Sequence, residues 1–113
     1  MSFVLDYQPV SWPVKFFVPA DGGQWQEASF NVVFATHTID EAKKLLEQAS
    51  DKPEEEYELV KQIVKGWDGV VDAKGNAIPF NQVNLKKLLK KPRMGSLLLE
   101  HYWDVQTVEK EKN

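Results

Sequence analysis

Apolar residues recur along this chain with two different periods, and the change of period divides it. From Val10 to Val18 the order is V-S-W-P-V-K-F-F-V, so Val10, Trp12, Val14, Phe16 and Val18 share one side of an extended chain. That two-residue repeat predicts a half-buried strand. Pro13 cannot donate to a ladder, which places the strand at an edge or starts it nearby. "PADGGQ" then signals a turn, and "ASFNVVFA" alternates again through Ala28, Phe30, Val32 and Phe34. The two segments predict a β-hairpin over about 12–35 with a glycine-rich tip. A lone hairpin is marginal in water. It has to lie on helices, gain a third strand, or pair with another chain.

Beyond the hairpin the period becomes helical. Thr38 followed by Glu41 is a capping box, and Ile39, Ala42, Leu45, Leu46 and Ala49 form a stripe behind it. A second helix is expected over about 53–66. Pro53 suits its first turn, Glu54, Glu55 and Glu56 favour its positive end, and Lys61 and Lys65 its negative end. Tyr57, Val60, Ile63, Val64 and Trp67 keep helical spacing, which makes Gly66 a candidate C-cap and Trp67 the end of the stripe. Asn81 caps a third helix, about 81–91, carrying Val83, Leu85, Leu88 and Leu89. Pro92 closes that helix or opens the next. The fourth, about 93–107, has Met94, Leu98, Tyr102 and Val105 as its stripe. The charged end of the chain, 108–113, is expected to fray. The fold class expected is therefore α+β in one domain, 1–113: an N-terminal hairpin on a bundle of about four helices.

Composition narrows the function. The 113 residues suit one domain with a modest core. The net charge is −3 and the basic residues are scattered, so nucleic acid is not an expected partner. There is no cysteine, which removes disulfides, thiolate metal sites and thiol nucleophiles. The first residues lack a basic segment before an apolar run, so no signal peptide is read there. No stretch reaches the roughly 20 apolar residues of a membrane span.

The segment "GWDGVVDAKGNAIPFNQVNLKKLL", from Gly66 to Leu89, is the one stretch rich enough in Gly and Asp to invite a ligand. Counted from Asp68, the sixth position of an EF-hand loop would be Ala73 and the twelfth Pro79, where glycine and glutamate are needed. "KGN" reverses the glycine-lysine order of a phosphate loop. A structural reading explains the residues better. Gly69 and Gly75 permit positive φ. "DAKGN" makes a tight turn between Val70-Val71 and Ala77-Ile78. Pro79 keeps the chain extended, and Phe80 precedes the Asn81 cap as a hydrophobic staple. Trp67, Asp68, Gly69, Gly75, Pro79, Phe80 and Asn81 are thus assigned to a structural loop.

The two histidines, His37 and His101, have no nucleophile or spaced acid near them in sequence. No catalytic, metal or cofactor-binding residue is assigned, and no cofactor is expected. The run "LKKLLKKPR" reads as a solvated helix face able to meet an acidic partner helix. The aromatics carry more weight: six Phe, four Trp and three Tyr. Most belong to the core, but Phe17 and Val33 lie opposite the main hairpin stripe and Trp103 lies off the last helical stripe. Apolar residues on both faces of an element mark extra cover or a docking surface. Phe17, Val33, Met94, Leu99 and Trp103 are the candidate partner contacts.

The block "VKGWDGVVDAKGNAIPFNQVNLKKLL" resembles a signature carried by phage tail assembly chaperones, and the hairpin with its "PADGG" tip is also similar to theirs. The likeness covers roughly residues 12–105, with Asn81 where Ser is more usual. It implies a non-enzymatic protein of a phage or prophage. Such proteins coat the tape-measure protein while tail-tube subunits polymerise around it. They act in the cytoplasm of the bacterial host and are absent from the mature virion. The resemblance also implies a longer frameshifted form, of which this chain is the short version. It implies tape-measure protein and tail-tube protein as partners, and self-association through the hairpin edge stays open. The alternative is a generic protein-protein adaptor with another client.

Overall fold

In the computed structural model, which describes residues 1–108, an antiparallel sheet lies on a layer of helices, an α+β architecture. The expected frayed end therefore lies outside the described residues except for Val108, which is exposed. Strands β1 (Val10–Ala20) and β2 (Gln24–Phe34) form the hairpin, in unbroken register from Val10↔Phe34 to Ala20↔Gln24. Its inner face carries the predicted stripe: Val14, Phe30, Val32 and Phe34 are buried. Helices α1 (Ile39–Leu46), α2 (Pro53–Ile63), α3 (Gln82–Leu89) and α4 (Met94–Gln106) follow, with the predicted Thr38 and Asn81 side chains accepting from the amides of Glu41 and Asn84.

One expectation is corrected. The second helix does not run to Gly66 but stops at Ile63, and Val64–Asp68 forms a third strand, β3, antiparallel to β2. Gly66 is a strand residue opposite Val33 and not a C-cap, and Trp67 lies opposite Val32 and not on a helix. The reason is tertiary. The hairpin needs a third strand to bury its edge, and β-branched Val64 suits a strand at least as well as a helix. The Ala35 amide donates to the Ile63 carbonyl at 2.9 Å, which joins the strand system to the end of α2. A bulge between Val33 and Phe34 admits one extra residue of β3 there.

The sheet order is β1-β2-β3, so β1 is an edge. β3 covers only Asn31 to Phe34 of β2, leaving the distal half of the hairpin two-stranded. The radius of gyration, 15.2 Å, exceeds the roughly 13 Å of a compact chain this long, as expected of a projecting hairpin. The core lies between the inner sheet face and the helices. Val14, Phe30, Val32 and Phe34 meet Tyr57, Val60, Ile63, Leu85, Leu98 and Tyr102 there. Three residues assigned to helical stripes escape it: Ile39 and Val83, each in the first turn of its helix, are exposed, and so is Ala49, because α1 ends at Leu46.

Candidate functional site

The Gly66–Asn81 connector is held from within. The Trp67 indole Nε1–H donates to the Ile78 carbonyl at 2.8 Å, and its ring meets Phe80 edge to face at 5.0 Å. Val71 and Ala77 bridge, and the Asp72 and Ile78 amides donate to the Asn76 and Val70 carbonyls, making the predicted miniature hairpin. Asp72 Oδ1 accepts from the Lys74 and Asn76 amides at 2.9 Å each, and these backbone bonds, Asn76 first, hold its carboxyl below the usual range. Gly69 has φ +93° and Gly75 φ +84°. Asp68 ends β3 opposite Asn31 and is exposed. Pro79 adds a backbone carbonyl that accepts from the Asn84 side chain at 2.9 Å. The Asp72 carboxylate is thus used locally, and the connector joins β3 to α3.

A polar cluster that sequence spacing did not reveal ties α4 to the end of β2. The Tyr102 hydroxyl and His37 Nδ1 are 2.7 Å apart. The His37 amide donates to Gln106 Oε1 at 2.6 Å, and Gln106 Nε2 donates to the Ala35 and Tyr102 carbonyls. Burial, with Glu41 as a lesser cause, pushes the Tyr102 hydroxyl up to about 12, so it stays protonated. The partners are 65 to 71 residues apart, beyond any local motif. His101 is separate: its Nδ1 is enclosed without a hydrogen-bond partner. Among the described residues no group of three or more His, Asp or Glu could hold a metal.

The five candidate contacts do not form one surface. Phe17 stands on the outer sheet face and is 66% exposed. Val33, on the same face, is half-buried, within 4 Å of where a Cβ on Gly66 would stand. Leu99 and Trp103 lie in the helical layer, half-buried against the core, where Trp103 borders a shallow hollow with Lys43, Leu46 and Glu47. Met94 is a correction: it is a core residue, 7% exposed, because it opens α4 on the same stripe as Leu98 and Tyr102, and it cannot meet a partner while α4 is packed.

What joins Phe17 is Trp25. Register places Phe17 opposite Glu27 and Trp25 opposite Pro19, so the two aromatics are diagonal neighbours on the outer face. Trp25 is 69% exposed. The extended stretch before β1 adds Phe3, Val4, Leu5 and Tyr7, all exposed. The pairing of Trp25 with Phe17 is not legible in sequence, because it depends on the three-residue turn Asp21–Gly23.

Among known families, the model of one described as YdaY prophage protein matches residues 35–113, more than two-thirds of the chain, from the end of β2 through the helices, β3 and the Trp67–Asn81 connector. No curated protein and no solved structure matches.

Proposed function

We propose that this chain, which belongs to the YdaY prophage protein family, is a non-enzymatic tail assembly chaperone that binds the tape-measure protein, with tail-tube subunits as a second client. The observation that carries the reading is the apolar surface left outside the core. Phe17 and Trp25 project on a two-stranded arm, and Phe3, Leu5 and Tyr7 are exposed nearby in sequence. Phe17 and Trp25, neighbours near the tip, suit contact with an apolar client, whereas Phe3, Leu5 and Tyr7 precede the base of the hairpin, where the Gln8 carbonyl accepts from the Thr36 hydroxyl. A tape-measure protein is long and helical with apolar patches, so it needs cover until the tube encloses it. The prophage family and the spelling of the Trp67–Asn81 connector support the same reading.

Such a protein works in the host cytoplasm and leaves before the tail is finished. In a prophage with this gene deleted in frame, induction is expected to leave tape-measure protein in the insoluble fraction and to yield no tails, with both restored by a plasmid copy. Normal tails from the deleted prophage would refute the assignment. The second reading, an adaptor with another client, rests on the same exposed aromatics. It predicts no tape-measure gene beside this one.

A further inference from the structure

A groove of about 740 Å³ runs between α2 on one side and α3 with the start of α4 on the other. Its walls differ in sign. α2 lines it with Glu54, Glu56 and Glu58, and α3 and the turn after it with Lys86, Lys90, Lys91 and Arg93. Opposite charges on neighbouring helices usually close on one another. Here they do not: among the described residues the one ion pair is Lys61–Glu58, within α2, and none spans the groove. Lys86 lies instead over the Tyr57 ring, 4.7 Å from its centre.

At the floor the Glu56 carboxylate lies against Gly95, where an added Cβ would stand 2.5 Å from it. Burial there raises the Glu56 carboxyl above its ordinary range. On both walls the charges recur four residues apart, Glu54 with Glu58 and Lys86 with Lys90, which is about one helical turn. A partner helix with charges at the same spacing meets both walls together.

We propose that this groove binds an α-helix of the client whose one flank is basic and other acidic, the basic flank against Glu54 and Glu58 and the acidic flank against Lys86, Lys90 and Arg93. The identity of the client rests on the chaperone reading, whereas the helix chemistry rests on the groove. Single exposed charge pairs contribute little, but several aligned pairs set orientation and partner choice.

The test uses the full chain and two fluorescein-labelled, alanine-based helical peptides of equal composition. One carries lysines along one flank and glutamates along the other. Its isomer mixes the two signs on each flank. Anisotropy at low salt is expected to show the striped peptide binding about ten-fold tighter, a difference of about 1.4 kcal/mol. Half-molar salt should remove the preference. The double variant Glu54→Lys, Glu58→Lys should lose it while keeping the wild-type circular dichroism, with a melting temperature lowered by no more than a few degrees because a first-turn acid and the Lys61 partner are lost. Adding Lys86→Glu, Lys90→Glu and Arg93→Glu should restore it, because both walls are then reversed and the peptide can bind end for end. Equal binding of the two peptides, binding of neither, or indifference to wall reversal would overturn the proposal. So would self-association of the wild type that the double variant abolishes, which would make a second copy the occupant. Capture of the tape-measure protein separates the two ideas. If the wild type and the double variant capture it equally, the groove assignment falls and the chaperone reading stands. If the striped peptide binds and the tape-measure protein does not, the groove stands and the chaperone reading falls.

Discussion

Trp67 shows how one side chain can fix a connector. It packs on Phe80, which precedes the cap of α3, and its indole holds Ile78 just before Pro79. Trp67→Ala is therefore expected to cost about 2–4 kcal/mol, short of the full value because the ring is only half-buried. Trp67→Phe, which keeps a ring but loses the donor, should cost about 1 kcal/mol. Urea unfolding followed by circular dichroism reads both, and a Trp67→Ala midpoint close to wild type would refute the account of the loop. Glu56 gives a pH prediction. Burial raises its carboxyl in the folded chain, so the folded state holds that proton more tightly than the unfolded one. Its contribution to stability is greatest below the unfolded value and declines as pH rises through the folded value. Glu56→Gln should then match wild type in acid and gain on it towards neutral pH. A gain on acidification instead would reverse the assigned cause. At this scale the caps were legible in sequence: Thr38 and Asn81 do what their spacing implies, because a cap bond is local. The His37–Tyr102–Gln106 cluster was not, because its members meet only after β2 and α4 are packed.

At the scale of elements, β1 is an exposed edge with a proline at positions 13 and 19. The ladder to β2 runs through both, opposite Asn31 and Trp25, which a proline tolerates only when its nitrogen points away from the partner strand. Both prolines therefore remove donors from the outer edge and blunt it against further strands. Pro13→Thr with Pro19→Thr should increase self-association, read as a rise in mass by light scattering. A mass unchanged from the wild type would show that the edge is guarded by something else. The hairpin and all four helices could be read from periodicity. β3 could not, because Val60, Ile63, Val64 and Trp67 also satisfy the helical repeat. A run that fits two periods is decided by what lies beside it, here the unpaired edge of β2. Ile39 and Val83 show the opposite failure: they follow the helical period yet occupy first turns beyond the reach of the core.

At the scale of the whole molecule, the proposals concern two separate surfaces. The helices, β3 and the connector, which the family match covers, include the two-signed groove and one side of the core, the inner face of the hairpin forming the other. The two-stranded arm, which precedes the matched span, carries Phe17 and Trp25 into solvent. The candidate site was legible only in part. Phe17 was singled out because it breaks the alternation of its strand, whereas Met94 was offered as a contact although its spacing to Leu98 and Tyr102 already put it on the buried stripe of α4. The groove was invisible in sequence, since α2 and α3 are separated by β3 and the connector.

The most direct measurement is co-expression with the tape-measure protein encoded nearby, followed by affinity capture and size-exclusion chromatography with light scattering. The account predicts a soluble complex with several copies of this chain per client. Phe17→Asp with Trp25→Asp should fold normally and lose at least ten-fold in capture. A wild-type chain that elutes alone beside an aggregated client would contradict the chaperone reading. Full capture by the doubly charged variant would show that the arm is not where the client binds.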